Sequence, residues 1–130
     1  MISIEQQLSV FLDNRPGTLA RTCQALAKEG INILALSMSD TVDHIVVRLI
    51  ASDTKKAGQV LKQLHTTVQE RQVILMDMSN QPGVLATVAQ KLTEAGINIE
   101  YAYGTSVPGQ AMGRLVLRTS DIEATISTLS

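Results

Sequence analysis

The sequence has little of the material from which catalytic, metal and nucleic-acid sites are built. Its 130 residues include one cysteine, two histidines and no tryptophan, and aromatic residues make up 2% of the chain. A single thiol excludes an internal disulfide and a multi-thiolate metal site, and it fits a reducing compartment. The scarcity of aromatic rings argues against a surface on which nucleic-acid bases stack.

The chain also lacks an excess of charge and a long apolar run. Eleven Lys and Arg residues stand against twelve Asp and Glu residues, a formal charge of −1, so no basic surface for nucleic acid or anionic lipid is expected. The N-terminus lacks the basic and apolar segments of a signal peptide or a membrane span. Hydrophobic residues make up 45% of the chain, which is enough for a core. We therefore expect a cytoplasmic protein with no nucleic-acid and no membrane partner.

The residues that could carry catalysis are few and isolated. His44 lies beside a predicted strand and His65 at a predicted helix end, while Cys23 falls on the apolar side of a predicted helix, where a thiol behaves as a small hydrophobe. No pattern typical of a phosphate-binding loop, a zinc site or an activated nucleophile occurs in the sequence. We therefore expect no catalytic residue, no metal and no cofactor.

An internal repeat is the main positive feature. The segment 14–33 recurs 66 positions later as 80–99, and eleven of the twenty aligned residues are identical. A duplication of this strength predicts two tandem domains. We place them at residues 1–72 and 73–130.

Each copy has the same predicted order of elements. In the first copy, alternation over residues 8–12 predicts a strand, and an apolar stripe over 19–27 predicts a helix. Two strands, a second helix and a short strand over 67–71 follow. This order predicts an α+β fold of two ferredoxin-like βαββαβ units, each with two helices on one face of an antiparallel sheet. The second copy repeats the order over 74–129 and lacks the last strand.

The apolar positions of these elements predict the core of each unit. The residues expected to be buried are Leu8, Val10, Leu19, Leu26, Ile33 and Val47 in the first copy and Ile74, Met76, Leu85, Leu92, Ile99 and Val116 in the second.

The missing last strand has a consequence for assembly. In the second copy it leaves strand 73–78 with an unpaired edge, and exposed edges are normally covered. A second chain, or Met1–Glu5 of this or a neighbouring chain, would provide the cover. We therefore expect a homodimer with two-fold symmetry.

The repeated turn Asn-x-Pro-Gly-x-Leu joins a strand to a helix N-terminus in both copies. Such a terminus presents unpaired N–H groups and the positive end of the helix dipole, and glycine allows a ligand to approach closely, so the turn suits a carboxylate. Asn32 and Asn98 open the next strand and supply a second amide. The alternative is structural: Asn14 and Asn80 cap their helices, and the later amides bond locally.

The turn, followed by Gly-Ile-Asn-Ile after the helix, resembles the ACT-domain family of small-molecule sensors in amino-acid metabolism. The resemblance covers essentially the whole chain and implies an amino-acid-binding regulatory protein, with a regulated enzyme as partner. In that family the amino acid lies between two units, held by the turn of one and the facing strand of another. The implied ligand-binding residues are Asn14, Arg15, Pro16, Gly17, Thr18, Leu19, Asn32 and Ile33 in the first copy and Asn80, Gln81, Pro82, Gly83, Val84, Leu85, Asn98, Ile99 and Tyr101 in the second.

Two features depart from the serine-sensing members of the family. Those members carry a His two residues before the first Asn of the turn, where this chain has Leu12 and Met78, so a more apolar amino acid is implied. Tyr101 and Tyr103 share one face of a strand in the second copy, and we expect at least one ring to line a cleft between units. A second function stays open, that of a regulatory subunit that docks on an enzyme without a ligand.

Overall fold

The computed structural model describes residues 1–64 and 66–130, so His65 lies outside the described residues. Contacts divide the chain into two compact units, Gln6–Arg71 and Gln72–Ser130 together with Met1–Glu5. Each unit has helices on one side of an antiparallel sheet, so the predicted α+β fold of two tandem ferredoxin-like units is confirmed. No helix among the described residues has both the length and the apolar character needed to cross a bilayer.

The secondary-structure elements follow the order predicted for a duplicated unit. In the unit Gln6–Arg71 the strands lie in the order β2-β3-β1-β4, and in the other unit the order is β1-β4-β6-β5. The elements are β1 (Ile2–Asp13), α1 (Thr18–Lys28), β2 (Ile33–Asp40), β3 (His44–Ala51), α2 (Thr54–Gln63), β4 (Thr67–Ser79), α3 (Val84–Glu94), β5 (Ile99–Thr105), β6 (Met112–Thr119) and α4 (Ile122–Leu129).

The core of the first unit lies between its sheet and its two helices. Leu8, Val10 and Leu12 alternate along β1 and pair with buried residues of β3. Leu26 of α1 and Leu61 of α2 are fully buried against them. The apolar face of β1, which follows from its period of two, and the apolar stripe of each helix therefore pack together in one layer.

The second unit repeats this packing with its own residues. Ile74 of β4 pairs with Leu117 of β6, and both are fully buried in a second core cluster. Val88 and Leu92 of α3 close this cluster from the helix side. The two copies of the repeat thus build separate cores from equivalent positions.

Most of the predicted core positions are buried. Seven of them are buried, namely Leu8, Val10, Leu26, Val47, Ile74, Leu92 and Val116. Four more are partly buried against a core cluster, namely Leu19, Ile33, Met76 and Ile99. The prediction for Leu85 is wrong, because this side chain is 51% exposed. The Leu85 side chain, in the first turn of α3, lines a cavity together with the small residues Ala102 and Gly104 of β5, which do not fill the space beside it.

The strand β4 is continuous over 13 residues, where the sequence predicted one strand over 67–71 and another over 74–78. The intervening residues Arg71, Gln72 and Val73 include no Gly, Pro, Asn or Asp that would favour a turn, so the extended backbone continues. As a result β4 begins in one unit and ends in the other.

The N-terminal residues complete the sheet of the second unit. Met1–Glu5 group with Gln72–Ser130, although the sequence placed them in the first domain. The backbone N–H of Asp77 donates to the carbonyl of Met1 at 2.9 Å, and Ile2 packs against the second core cluster. The edge of β4 that the missing strand would leave bare is therefore covered by this chain's own residues, one of the covers that the sequence allowed.

Candidate functional site

The Asn-x-Pro-Gly turn has the same conformation in both units. Gly17 and Gly83 immediately precede α1 and α3 with φ angles of 90° and 88°, in the left-handed region that favours glycine. A Cβ added at either position would meet nothing within 4 Å. The turn therefore needs glycine for its backbone angle, and the space beside it is open.

The first asparagine of each turn is hydrogen-bonded to the loop of a nearby hairpin, formed by β2 and β3 in the first unit and by β5 and β6 in the second. The Nδ2 of Asn14 donates to the carbonyl of Thr41 at 3.2 Å. The Nδ2 of Asn80 donates to the carbonyls of Val107 and Gln110 at 3.1 and 3.0 Å. The alternative that these amides cap the helices is wrong, because in the described residues Gly17 and Gly83 hold the N-cap positions and no side chain accepts a capping hydrogen bond there.

The helices that follow the repeated turn differ from the other two. The carboxylate of Asp53 accepts from the N–H of Lys56 at 3.0 Å to cap α2, and Asp121 accepts from the N–H of Ala124 at 2.9 Å to cap α4. At the start of α3, the N–H of Leu85 makes no hydrogen bond within the described part of the chain. Unpaired N–H groups and the helix dipole favour an anion at such a terminus.

The second asparagine of each copy is fixed through its backbone. The N–H of Asn32 donates to Ser52 Oγ at 2.9 Å, and its carbonyl accepts from the N–H of Ser52 at 2.8 Å. Asn98 and Ser120 repeat this pair at 3.0 and 2.9 Å. The side chains of both asparagines are exposed, so their amides are available to a ligand or a partner.

Within one unit, the structure does not bring the two predicted asparagines together. Asn14 precedes α1 and Asn32 follows it, and a helix of 11 residues is about 16 Å long. The far end of β2, at Asp40, lies beside the turn of Asn14, whereas β2 begins next to Asn32. A single amino acid is too short to contact both positions of the same unit.

A cavity of about 310 Å³ lies beside the first turn of α3. Of the predicted site residues, Leu85 lines this cavity. The lining residues carry no formal charge and come from β4, α3, β5 and β6; they are Met78, Leu85, Ala102, Tyr103, Gly104, Thr105, Ser106 and Leu115.

Two small residues of β5 distinguish this cavity from the equivalent region of the first unit. Ala102 and Gly104 stand where the first copy has Leu36 and Met38, which are 39% and 44% exposed. A Cβ added to Gly104 would lie 2.8 Å from the backbone oxygen of Arg114. Neither small residue belongs to a repeated motif, and the signal that would find them is the difference between the two copies.

The two tyrosines of β5 have different surroundings. Both lie on the sheet face opposite the helices, where Tyr101 pairs with Arg118 and Tyr103 with Val116. Tyr103 is among the residues that line the cavity, and Tyr101 is not. A cleft between units lined by either ring stays a prediction.

The chemistry of the turn is that of binding. In residues 1–64 and 66–130, no group of three or more His, Cys, Asp and Glu side chains could hold a metal ion. The turn at Asn80 offers the amide Oδ1 as an acceptor and the first N–H groups of α3 as donors. Groups of this kind hold a ligand by hydrogen bonds.

Comparison with known families decides the classification of this chain. Residues 2–129 match the model of the family described as ACT domain pair. The chain belongs to the ACT domain pair family. The resemblance inferred from the turn and the Gly-Ile-Asn-Ile motif is confirmed, and the match extends over both copies.

Known relatives of this ACT domain pair include proteins from several bacteria. A crystal structure of a protein from Bacteroides thetaiotaomicron has a TM-score of 0.91 at 35% identity, over 98% of this chain and 88% of that one. The ligand-free regulatory subunit of aspartate kinase from Thermus thermophilus has a TM-score of 0.75 at 17% identity, over 99% and 95% of the two chains. The latter likeness concerns the fold alone.

A curated relative carries a functional name. The acetolactate synthase small subunit of Mycobacterium leprae is 27% identical over 92 residues, which are 68% of this chain and 54% of that protein. The chain therefore spans about half the length of this relative.

Proposed function

We propose that this ACT domain pair binds a free amino acid and thereby regulates an enzyme of amino-acid metabolism, in the cytoplasm and without catalysis of its own. The name of one similar protein, the small subunit of acetolactate synthase, supports a role as the partner of an enzyme. A ligand regulates only if it binds two states with different affinities. The proposed states are the free and the associated forms of the pair.

The observation that carries this proposal is the polar arrangement of the Asn80 turn. Its uncapped helix offers N–H donors that suit a carboxylate, and the Asn80 Oδ1 offers an acceptor that suits an ammonium group. A free amino acid carries both groups on one carbon atom. The Asn14 turn has the same backbone conformation and the same kind of anchor.

The separation of the two asparagines supports a ligand site shared by two chains. Asn80 and Asn98 lie near opposite ends of β5, which is the last strand in the order of its sheet. If two chains pair antiparallel along β5 with two-fold symmetry, the turn of one chain meets the strand opening of its partner. Such a pairing also covers the edge of β5.

A homodimer is the first testable consequence. Light scattering on the purified protein is expected to give about twice the 14.0 kDa of one chain. The amino acid that binds is expected to shift the association to lower protein concentration, because it contacts both chains. A mass of one chain across micromolar concentrations, with and without amino acids, would contradict the shared site.

Substitution of the anchor tests the ligand site directly. In titration calorimetry with each of the twenty amino acids, Asn80→Ala is expected to weaken the binding by roughly 1–3 kcal/mol, since a charged ligand group loses its acceptor. The matched control is Asp121→Ala, which removes a helix cap of the same unit and lowers stability by about 1 kcal/mol without touching the turn. Equal affinities for both variants would contradict the role of Asn80.

A second candidate function is favoured by an apolar stripe on β2. Leu34, Leu36 and Met38 are 46%, 39% and 44% exposed on a strand at the end of its sheet. Apolar side chains beside an open strand edge suit a protein surface. This regulatory subunit would dock on its enzyme without a ligand, and calorimetry would then detect no heat for any of the twenty amino acids.

A further inference from the structure

We infer that the second unit is the ligand-binding member of the pair, and that its cavity receives an aliphatic side chain of the bound amino acid. The inference rests on the proposed function. It adds which of the two repeated turns binds the ligand and which class of side chain is selected.

The cavity has the position required for a side-chain site. Leu85, in its wall, belongs to the first turn of α3, and Met78 lies two residues before Asn80. An amino acid whose carboxylate meets the start of α3 therefore has the cavity directly beside its α-carbon. The volume of about 310 Å³ is at the small end of the range for ligand pockets, which begins near 300 Å³.

The residues that line the cavity favour an aliphatic ligand side chain over a charged one. Met78, Leu85 and Leu115 present thioether and aliphatic groups, and none of the lining residues carries a charge. A charged ligand side chain would lose its hydration there without gaining an ionic partner. An aliphatic side chain would instead remove its own surface and part of the exposed Leu85 from water.

The first unit packs the equivalent leucine against its core. Leu19 packs against the first core cluster, whereas its counterpart Leu85 is 51% exposed. The single O–H of Thr18 is shared between the carbonyl oxygens of Asp13 and Arg15, which lie 3.0 and 3.1 Å from Oγ1, and this contact holds the start of α1. Val84 stands at this position in the second copy and has no hydroxyl to make these bonds. The start of α3 thus lacks the side-chain hydrogen bonds that hold the start of α1.

The side chains of the two edge strands point to the same difference. In the first unit Leu36 and Met38 occupy the positions that Ala102 and Gly104 occupy in the second. Leu36 and Met38 therefore place larger side chains on this face of β2 than Ala102 and Gly104 place on β5. The ligand site of the pair is therefore asymmetric although the turns are alike.

The experiment is calorimetry on the full chain with leucine, isoleucine, valine and methionine against serine, aspartate and lysine. We expect at least a tenfold preference for the aliphatic group, because each buried methylene contributes roughly fourfold in affinity. Ala102→Leu places the first copy's residue in the cavity and is expected to weaken aliphatic binding at least tenfold. The matched control Leu36→Ala makes the reverse exchange in the first unit and is expected to leave the affinity within about twofold, the usual scatter for a substitution that shares no partner with the site.

Each result decides between the proposals. If serine, aspartate or lysine binds as tightly as leucine, the selection of aliphatic side chains is overturned. If Leu36→Ala changes the affinity and Ala102→Leu does not, the assignment to the second unit is overturned while amino-acid binding stands. If no amino acid binds the unaltered chain, the proposed function fails and this inference with it. Circular dichroism checks folding, and Ala102→Val, with an intermediate expected loss, replaces Ala102→Leu if that variant unfolds.

Discussion

Removal of Met1–Glu5 is expected to destabilise the second unit by roughly 3–5 kcal/mol, through lost ladder hydrogen bonds and lost burial of Ile2. These residues lie in the same compact unit as Gln72–Ser130, and Ile2 packs against its core. Without them β4 loses its neighbour over this part of its length. Hydrogen exchange is expected to become faster in α3, β5 and β6 than in α1, β2 and β3.

A control for this deletion lies within the same segment. Ile4 is 43% exposed, so Ile4→Ala keeps the strand backbone and is expected to change stability by less than about 1 kcal/mol. Equal acceleration of exchange in all of these elements after the deletion would contradict a specific role of Met1–Glu5 in the second unit. The same conclusion would follow from an unchanged midpoint of urea unfolding.

The substitution Leu92→Ala is expected to lower the free energy of unfolding by about 2–5 kcal/mol, the usual cost of removing a buried leucine side chain. Leu92 is fully buried at the centre of the second core cluster. Leu85 belongs to the same helix and is 51% exposed, so Leu85→Ala is expected to cost less than about 1 kcal/mol.

Chemical denaturation of both leucine variants measures the difference. The exposed position serves as the control, because the residue types and the helix are the same in both substitutions. A similar loss of stability for the two variants would contradict the burial difference between them, and it would place Leu85 in the core, as the sequence pattern predicted.

The fold could be predicted because the same pattern of strands and helices is visible in both copies of the repeat. The strand before each turn alternates, and the helix after it carries an apolar stripe, so the period of each element is visible in both copies. The order of elements, confirmed in both units, follows from these periods and from the glycines that end α1 and α3. The predicted break between residues 71 and 74 is wrong, because extended backbone continues through this segment.

The candidate site was less accessible from the sequence. The motifs identify Asn80 and the following turn. Their spacing does not predict which group the side-chain amide of Asn80 donates to. Its orientation depends on the hairpin carbonyls of Val107 and Gln110, which lie 27 and 30 residues away. The cavity is harder still to predict, because Ala102 and Gly104 taken alone are not typical of a binding site. They become informative only when they are compared with the larger residues Leu36 and Met38 at the same positions of the first copy.

The division of β1 between two units affects how the protein is made. Met1–Glu5 are synthesised before the strand beside which they lie, which ends at Ser79, and before the rest of their unit. At roughly 5–20 residues per second, synthesis of the remaining chain takes several seconds to half a minute. Once Arg71 has been added, Gln6–Arg71 has all of its own residues, while the partner strand of Met1–Glu5 is complete only at Ser79. Met1–Glu5 thus precede Gln6–Arg71 in synthesis but reach their place in the sheet after it, and the nascent chain carries an open β-strand end until β4 is complete.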